Sequence, residues 1–175
     1  AGYAAELGRP EVFDRLLTDG RKRLADAYEG DTRHNETCMP SCPDCLRSWD
    51  NRRHHSSLDW RLALDMLDLA AGEPLHLDRW FSLARLRGTD VARQFPDDLA
   101  LTEVNGVPVL RGTGAAKKSA VIIGHPLWWR DRHHMTDEQA EVVVALEVEG
   151  ISHLVQSDPF ELALSPARVL VRFFQ

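Results

Sequence analysis

The sequence predicts an α+β chain: a helical first half, residues 1–96, followed by a small α/β half, residues 97–175, that opens on a hairpin. Three observations predict it. Up to about Pro96 the apolar residues recur at helical spacing. After "FPDD" two extended runs flank Asn105-Gly106, the strongest short-range signal for a hairpin. Beyond it, "SAVIIG", "TDEQAEVVVALEVEG" and "ISHLVQS" read as a buried strand, a helix and a second strand. A chain of 175 residues suits one domain or two small ones, each with a core of its own.

Taken in order, "RPEVFDRLLTDGRKRLADAYEG" sets Phe13, Leu16, Leu17, Leu24 and Tyr28 on a helical rhythm, weakened at Gly20 and ended near Gly30. A cysteine-rich loop follows. "SSLDWRLALDMLDLAAGEP" predicts a helix with Ser56 or Ser57 as its cap and Asp59 in its first turn, closing on Gly72 with Pro74 just beyond. "LDRWFSLARLRGTDVARQF" offers Asp78 as a cap and Trp80, Leu83, Ala84 and Leu86 as an apolar face, with Gly88 dividing it into two pieces. In the second half, Thr136 and Gln139 have the spacing of a capping box. "GTGAAKKS" reads as a loop: it lacks the spacing of a phosphate-binding loop and leads into a strand, although Lys117 and Lys118 are available to anions.

Composition narrows the function classes. With 43% hydrophobic and 27% charged residues the chain is ordinary for a globular protein, and no apolar run approaches the roughly 18 to 20 residues that span a bilayer, so no membrane partner is expected. The net charge of −6 repels polyanions as a whole, so any nucleic-acid contact must be local. Arg47, Arg52, Arg53 and Arg61 fall close together, whereas residues 137–161 hold seven acids and no Lys or Arg. The opening "AGYAAELGRPEVF" has no initiator Met and no targeting character, which reads as a piece of something longer.

The three cysteines lie within "CMPSCPDC", residues 38–45, which suits a reducing compartment, the cytoplasm, better than a disulfide framework. Zinc takes four tetrahedral ligands and favours thiolate and imidazole, so Cys38, Cys42 and Cys45 supply three donors, with His54 and His55 the nearest for the fourth and His55 preferred. Three thiolates and an imidazole around a divalent ion leave a net charge of about −1, which neighbouring arginines would offset. A redox role for "CPDC" is disfavoured because no strand leads it into a helix. A catalytic zinc would keep one position for water, whereas four protein donors stand close by. Unmetallated thiols are the bland alternative. A metal here is expected to order the loop, offsetting a backbone entropy cost of roughly 1 to 2 kcal/mol per residue.

Arg47, Arg52, Arg53 and Arg61 could grip phosphates, with Trp49 or Trp60 as a stacking face; equally, they could balance the thiolates and pair with Asp50 and Asp59 while the tryptophans pack. His125, His133 and His134 in "GHPLWWRDRHH" need no function beyond that of a strand-end loop. No Ser/His/Asp arrangement, nuclease centre or Walker lysine is legible, so the segment itself reads as noncatalytic.

The run "CMPSCPDCLRSWDNRRHHSSLDWRLALDML" resembles the MrfA-type zinc-binding domain found at the C-terminus of bacterial superfamily 2 helicases and in the DrmB-like component of DISARM phage defence. The matching pattern is Cys38, Cys42, Cys45-Leu46, Trp49, Asn51, His55 and Leu58-Asp59 opening a helix, and "AGYAAELG" is similar to a segment that precedes the cysteines in such helicases. Arg52 stands where many members carry Gln, and a four-cysteine version exists in the family. The resemblance covers residues 1 to about 72; it implies His55 as fourth ligand, from the three-cysteine version, and zinc as the cofactor. It also implies attachment to a helicase core or helicase subunit, engagement of single-stranded or duplex DNA, and a setting in antiphage defence. The alternative implied is a standalone zinc-stabilised subunit that partners a helicase.

Overall fold

The structure, a computed structural model, describes residues 3–30, 34 and 37–175. The first two residues of the "AGYAAELG" segment lie outside the described residues. The chain divides into two compact units, Ala1–His76 and Leu77–Gln175.

In the first unit a short helix α1 (Tyr3–Leu7) precedes α2 (Pro10–Tyr28), which starts on Pro10, where a missing N–H costs nothing, and runs unbroken through Gly20. The next helix, α3 (Trp60–Ala70), is capped differently from expectation. Ser56 and Ser57 are wound into a 3-10 turn, Arg52–Ser57, and Asp59 is the cap, accepting from Arg61 N–H at 2.8 Å and Leu62 N–H at 3.4 Å. The helix closes ahead of Gly72, whose φ of +80° suits a residue without Cβ. α2 and α3 pack together, and Arg21 of α2 pairs with the fully buried Asp68 of α3. At their far end the Tyr28 and Trp60 rings stack face to face, centroids 4.2 Å apart, in a small core with Cys38, Leu24, Ala27 and Leu46.

The second unit is built on one four-stranded sheet in the order β1 (Leu99–Val104), β2 (Val107–Gly112), β3 (Ser119–Ile123), β4 (His153–Ser157). The first three strands are antiparallel neighbours. β3 and β4 are parallel, joined by a crossover that contains the helix of residues 137–148. Asn105 and Gly106 at the β1–β2 turn have φ of 50° and 82°, as a two-residue hairpin turn requires. Side chains alternate between two apolar layers. Leu110, Val121, Ile123 and Val155 meet α4 (Asp78–Gln94) and the C-terminal helices, whereas Val109, Ala120 and Ile122 meet Val142, Val143 and Leu146 of α5 (Asp137–Val148). Covering both faces explains why β3 reads as a continuous apolar run. The C-terminal helices are α6 (Pro159–Leu164), capped by Asp158, and α7 (Pro166–Phe173).

The α+β expectation holds, with a four-stranded mixed sheet in the second unit. The division after His76, not near Pro96, places residues 78–94 with the sheet, because Ala84 and Val91 of α4 lie in its core beside Leu99 and Leu110. Nor does Gly88 break α4. A Cβ there would stand 2.7 Å from Leu101 Cδ1 and 2.8 Å from Ile123 Cδ1, so its role is close approach of helix to sheet. Leu86, placed on the apolar face by its spacing, is exposed.

Candidate metal centre

The candidate donors lie in the segment between α2 and α3. Cys38 N–H donates to His34 O at 2.8 Å, which holds His34 beside the first thiol. "CPDC" then folds back on itself. Cys42 O accepts from Cys45 N–H at 3.2 Å and from Arg47 N–H at 3.0 Å, while Cys42 N–H points at Cys45 Sγ at 3.0 Å. Trp60 N–H donates to Pro40 O at 3.1 Å, tying the loop to the start of α3.

These turns bring His34, Cys38, Cys42 and Cys45 together, with one ligand atom from each, all within 4.8 Å of one another. Cys38 Sγ lies 3.7 Å from Cys45 Sγ, and Cys42 Sγ lies 3.6 Å from His34 Nε2. A tetrahedral ion with bonds of about 2.3 Å to sulfur and about 2.0 Å to nitrogen would set sulfur–sulfur edges of about 3.8 Å and sulfur–nitrogen edges of about 3.5 Å. The spacing therefore fits a four-ligand metal site. It is far outside the roughly 2.05 Å of a disulfide, and all three cysteines are free.

Electrostatics split the thiols. Burial, followed by hydrogen bonds with Cys42 and Cys45 and the charge of Cys45, pushes Cys38 up to about 12. Burial alone would raise Cys45 too, but hydrogen bonds from Tyr28, the Cys42 and Leu46 backbone and His34 outweigh it and bring it down to about 7. Tyr28, buried and beside both thiols, is held well above the usual phenol range. Holding more than one thiolate here requires positive charge, which a divalent ion supplies.

A cation also stands inside the protein. Arg61 is 5% exposed, 3.6 Å from Asp59 Oδ2, with its Nη2 3.5 Å from Met39 Sδ. Burial lowers its pKa, and the charges of Asp59, Cys38 and Tyr28 oppose that change. Asp59 is raised by burial, against Arg61 and the two N–H groups it caps. The expectation that Arg61 grips phosphate is thus corrected: its guanidinium is enclosed beside the thiols. Trp60, buried against Tyr28, is likewise unavailable for stacking on a base.

His55 also falls elsewhere than expected. Its Nε2 lies 3.0 Å from Ser48 O and 3.0 Å from Asn51 Oδ1. Asn51 in turn donates to Leu46 O at 2.7 Å and accepts from Ser48 N–H at 2.8 Å. Asn51 and His55 together clamp the segment that leaves the cysteine loop, so the imidazole is engaged away from the sulfurs. His54 is exposed and outside the cluster. His34 stands in the place expected of them. The sequence signal for it is "HNETC", a histidine four residues before the first cysteine, whereas His54 and His55 lie downstream of all three.

Of the remaining arginines, Arg52 lies over the Trp49 ring at 4.4 Å, and Trp49 is 77% exposed. Arg53 is exposed, and Arg47 donates from Nε to Ser41 Oγ at 3.0 Å. In the second unit His125 is buried, its Nδ1 accepting from Leu127 N–H at 3.0 Å, with its ring edge-on to Trp80. Glu147 and Glu149 each pair with an arginine, Arg132 and Arg111. Among the described residues no helix is long and apolar enough to cross a membrane.

Comparison with protein-family models, curated proteins and solved structures finds no match to this chain.

Proposed function

We propose that His34, Cys38, Cys42 and Cys45 hold one structural zinc ion. The loop so ordered would present Trp49, Arg52 and Arg53 to nucleic acid, as the accessory region of a superfamily 2 helicase acting in antiphage defence. The observation that carries the metal reading is the four-atom cluster, gathered within 4.8 Å, with a sulfur–sulfur edge of 3.7 Å and a sulfur–nitrogen edge of 3.6 Å close to those of a tetrahedral thiolate–imidazole site. Bound there, zinc would supply positive charge and a crosslink between the end of α2 and the start of α3. The chain's own residues orient the donors and exclude water from them: Tyr28 and Trp60 cover the thiols, and Arg61 offsets their charge from within. Four protein donors leave no position for a reacting water, so the role is structural.

The nucleic-acid part rests on the exposed Trp49 with Arg52 against its face, a surface suited to an unpaired base and its phosphates, and on the resemblance of residues 38–67 to the helicase-associated domain. A second reading, a subunit that docks on a helicase partner, is favoured by the exposed apolar residues Phe13 and Leu16 on α2.

Two measurements test this. Elemental analysis of freshly purified, reduced protein should give one zinc per chain, and none in Cys42→Ser; absence of stoichiometric metal from the wild type defeats the metal reading. Anisotropy of a labelled oligothymidylate should show binding that weakens steeply with salt and drops about tenfold in Trp49→Ala, in line with a stacking contribution of roughly 1–3 kcal/mol. Salt-insensitive capture of a helicase subunit without oligonucleotide binding would favour the second reading.

A further inference from the structure

The sheet of the second unit ends at β4, whose outer side carries no strand among the described residues. In the β3–β4 ladder His153 N–H donates to Lys118 O and Gly124 N–H to Ser157 O. Because alternate residues of a parallel strand face opposite neighbours, His153, Val155 and Ser157 direct their peptide groups to β3, and those of Leu154 and Gln156 turn outward. A groove of about 370 Å³ runs along this edge. Met135 and Val143 form an apolar wall, and Arg130, Arg132 and Arg172 line it without any acidic residue. The carboxylates that pair with these arginines, Asp158, Glu161 and Glu147, all lie outside the lining.

We propose that this groove takes an extended acidic peptide segment, which adds to β4 as a fifth strand. A strand offers donors and acceptors at two-residue spacing to match Leu154 and Gln156. Its apolar side chains meet the Met135–Val143 wall and its carboxylates the three arginines. A second copy of this chain fits poorly, since its own β4, His153–Ser157, carries no carboxylate to meet the three arginines. A phosphate backbone fits poorly as well, because it has no donor for the outward carbonyls of Leu154 and Gln156.

The test uses the whole chain and a synthetic seven-residue peptide of alternating glutamate and valine, with a lysine–valine peptide as control. The glutamate peptide should bind, slow amide exchange at Leu154 and Gln156 at least tenfold by NMR, and lose at least tenfold in affinity in the Arg130→Glu, Arg132→Glu double variant. If that double variant does not fold, Arg132→Gln alone should weaken binding about threefold. Equal binding of the lysine peptide overturns the proposal, as does binding that leaves those two amides unprotected. Protection of the same amides by oligothymidylate instead of the peptide, or by self-association seen in sedimentation without peptide, overturns it in favour of nucleic acid or of a second copy.

Discussion

At the residue scale the two histidine environments make opposite demands. His34 reaches Cys42 Sγ with its Nε2, whereas His55 brackets Ser48 and Asn51. His34→Ala should therefore abolish stoichiometric zinc. His55→Ala should retain the metal and cost about 1 kcal/mol, the worth of an ordinary hydrogen bond. Zinc content and urea unfolding of the two variants, run side by side, check this, and the reverse order would return the fourth ligand to His55. Which residue types made the site was legible, since three closely spaced cysteines next to histidines admit few other readings. Which histidine completed it was not. That choice depends on the Cys38 N–H to His34 O bond and on Asn51 capturing His55, and neither leaves a mark in composition. The same limit explains Arg61. Its sequence neighbours read as a basic surface, but a position just inside the Asp59 cap turns it toward the thiols.

At the scale of elements, strands and hairpin were legible because extended apolar runs and Asn105-Gly106 are local signals; the role of Gly88 was not, because it depends on how near α4 comes to the sheet. Gly88→Ala raises intrinsic helix propensity by up to about 1 kcal/mol, yet its methyl would collide with Leu101 and Ile123. Overpacking of that kind typically costs about 1–3 kcal/mol, so net destabilisation of the second unit is expected, read as a lower urea midpoint. Around α6 and α7 the key group is Glu161, which accepts from Ser157 Oγ at 3.0 Å and from Arg172 at 2.8 Å. Burial would raise its pKa, but Ser157, Arg172 and Arg130 outweigh that and hold it below the usual carboxylate range. A depressed carboxylate stabilises the fold above its unfolded pKa, about 4.3, and that contribution is lost as pH falls through the lower folded value. Glu161→Gln should be less stable than wild type at pH 7 by about 1.5–3 kcal/mol, with the gap closing below pH of about 4. A gap unchanged at acid pH would assign the effect to packing.

At the scale of the whole molecule, the two units differ in what holds them. The second has apolar layers on both faces of its sheet, whereas the first buries only a few residues around Tyr28, Cys38 and Trp60 besides the packing of α2 on α3. Zinc binding in small folds is worth on the order of 10 kcal/mol, which is folding energy where the core is thin. Treatment with a chelator under reducing conditions should therefore melt the first unit and leave the second folded. Helicity should fall while the NMR signals of residues 99–157 persist; loss of both sets together would mean that the sheet also depends on the metal. The α+β class was readable from local periodicity, but the break after His76 was not, because α4 looks like its helical predecessors until the sheet it covers is known.

The enclosure of Arg61 separates two properties that a basic cluster would ordinarily link. A guanidinium that is 5% exposed is screened by mobile ions far less than Arg52 and Arg53 at the surface, so the charge it sets beside the cysteine loop persists where their contacts weaken. Raising potassium chloride should accordingly strip bound oligonucleotide while leaving metal retention untouched.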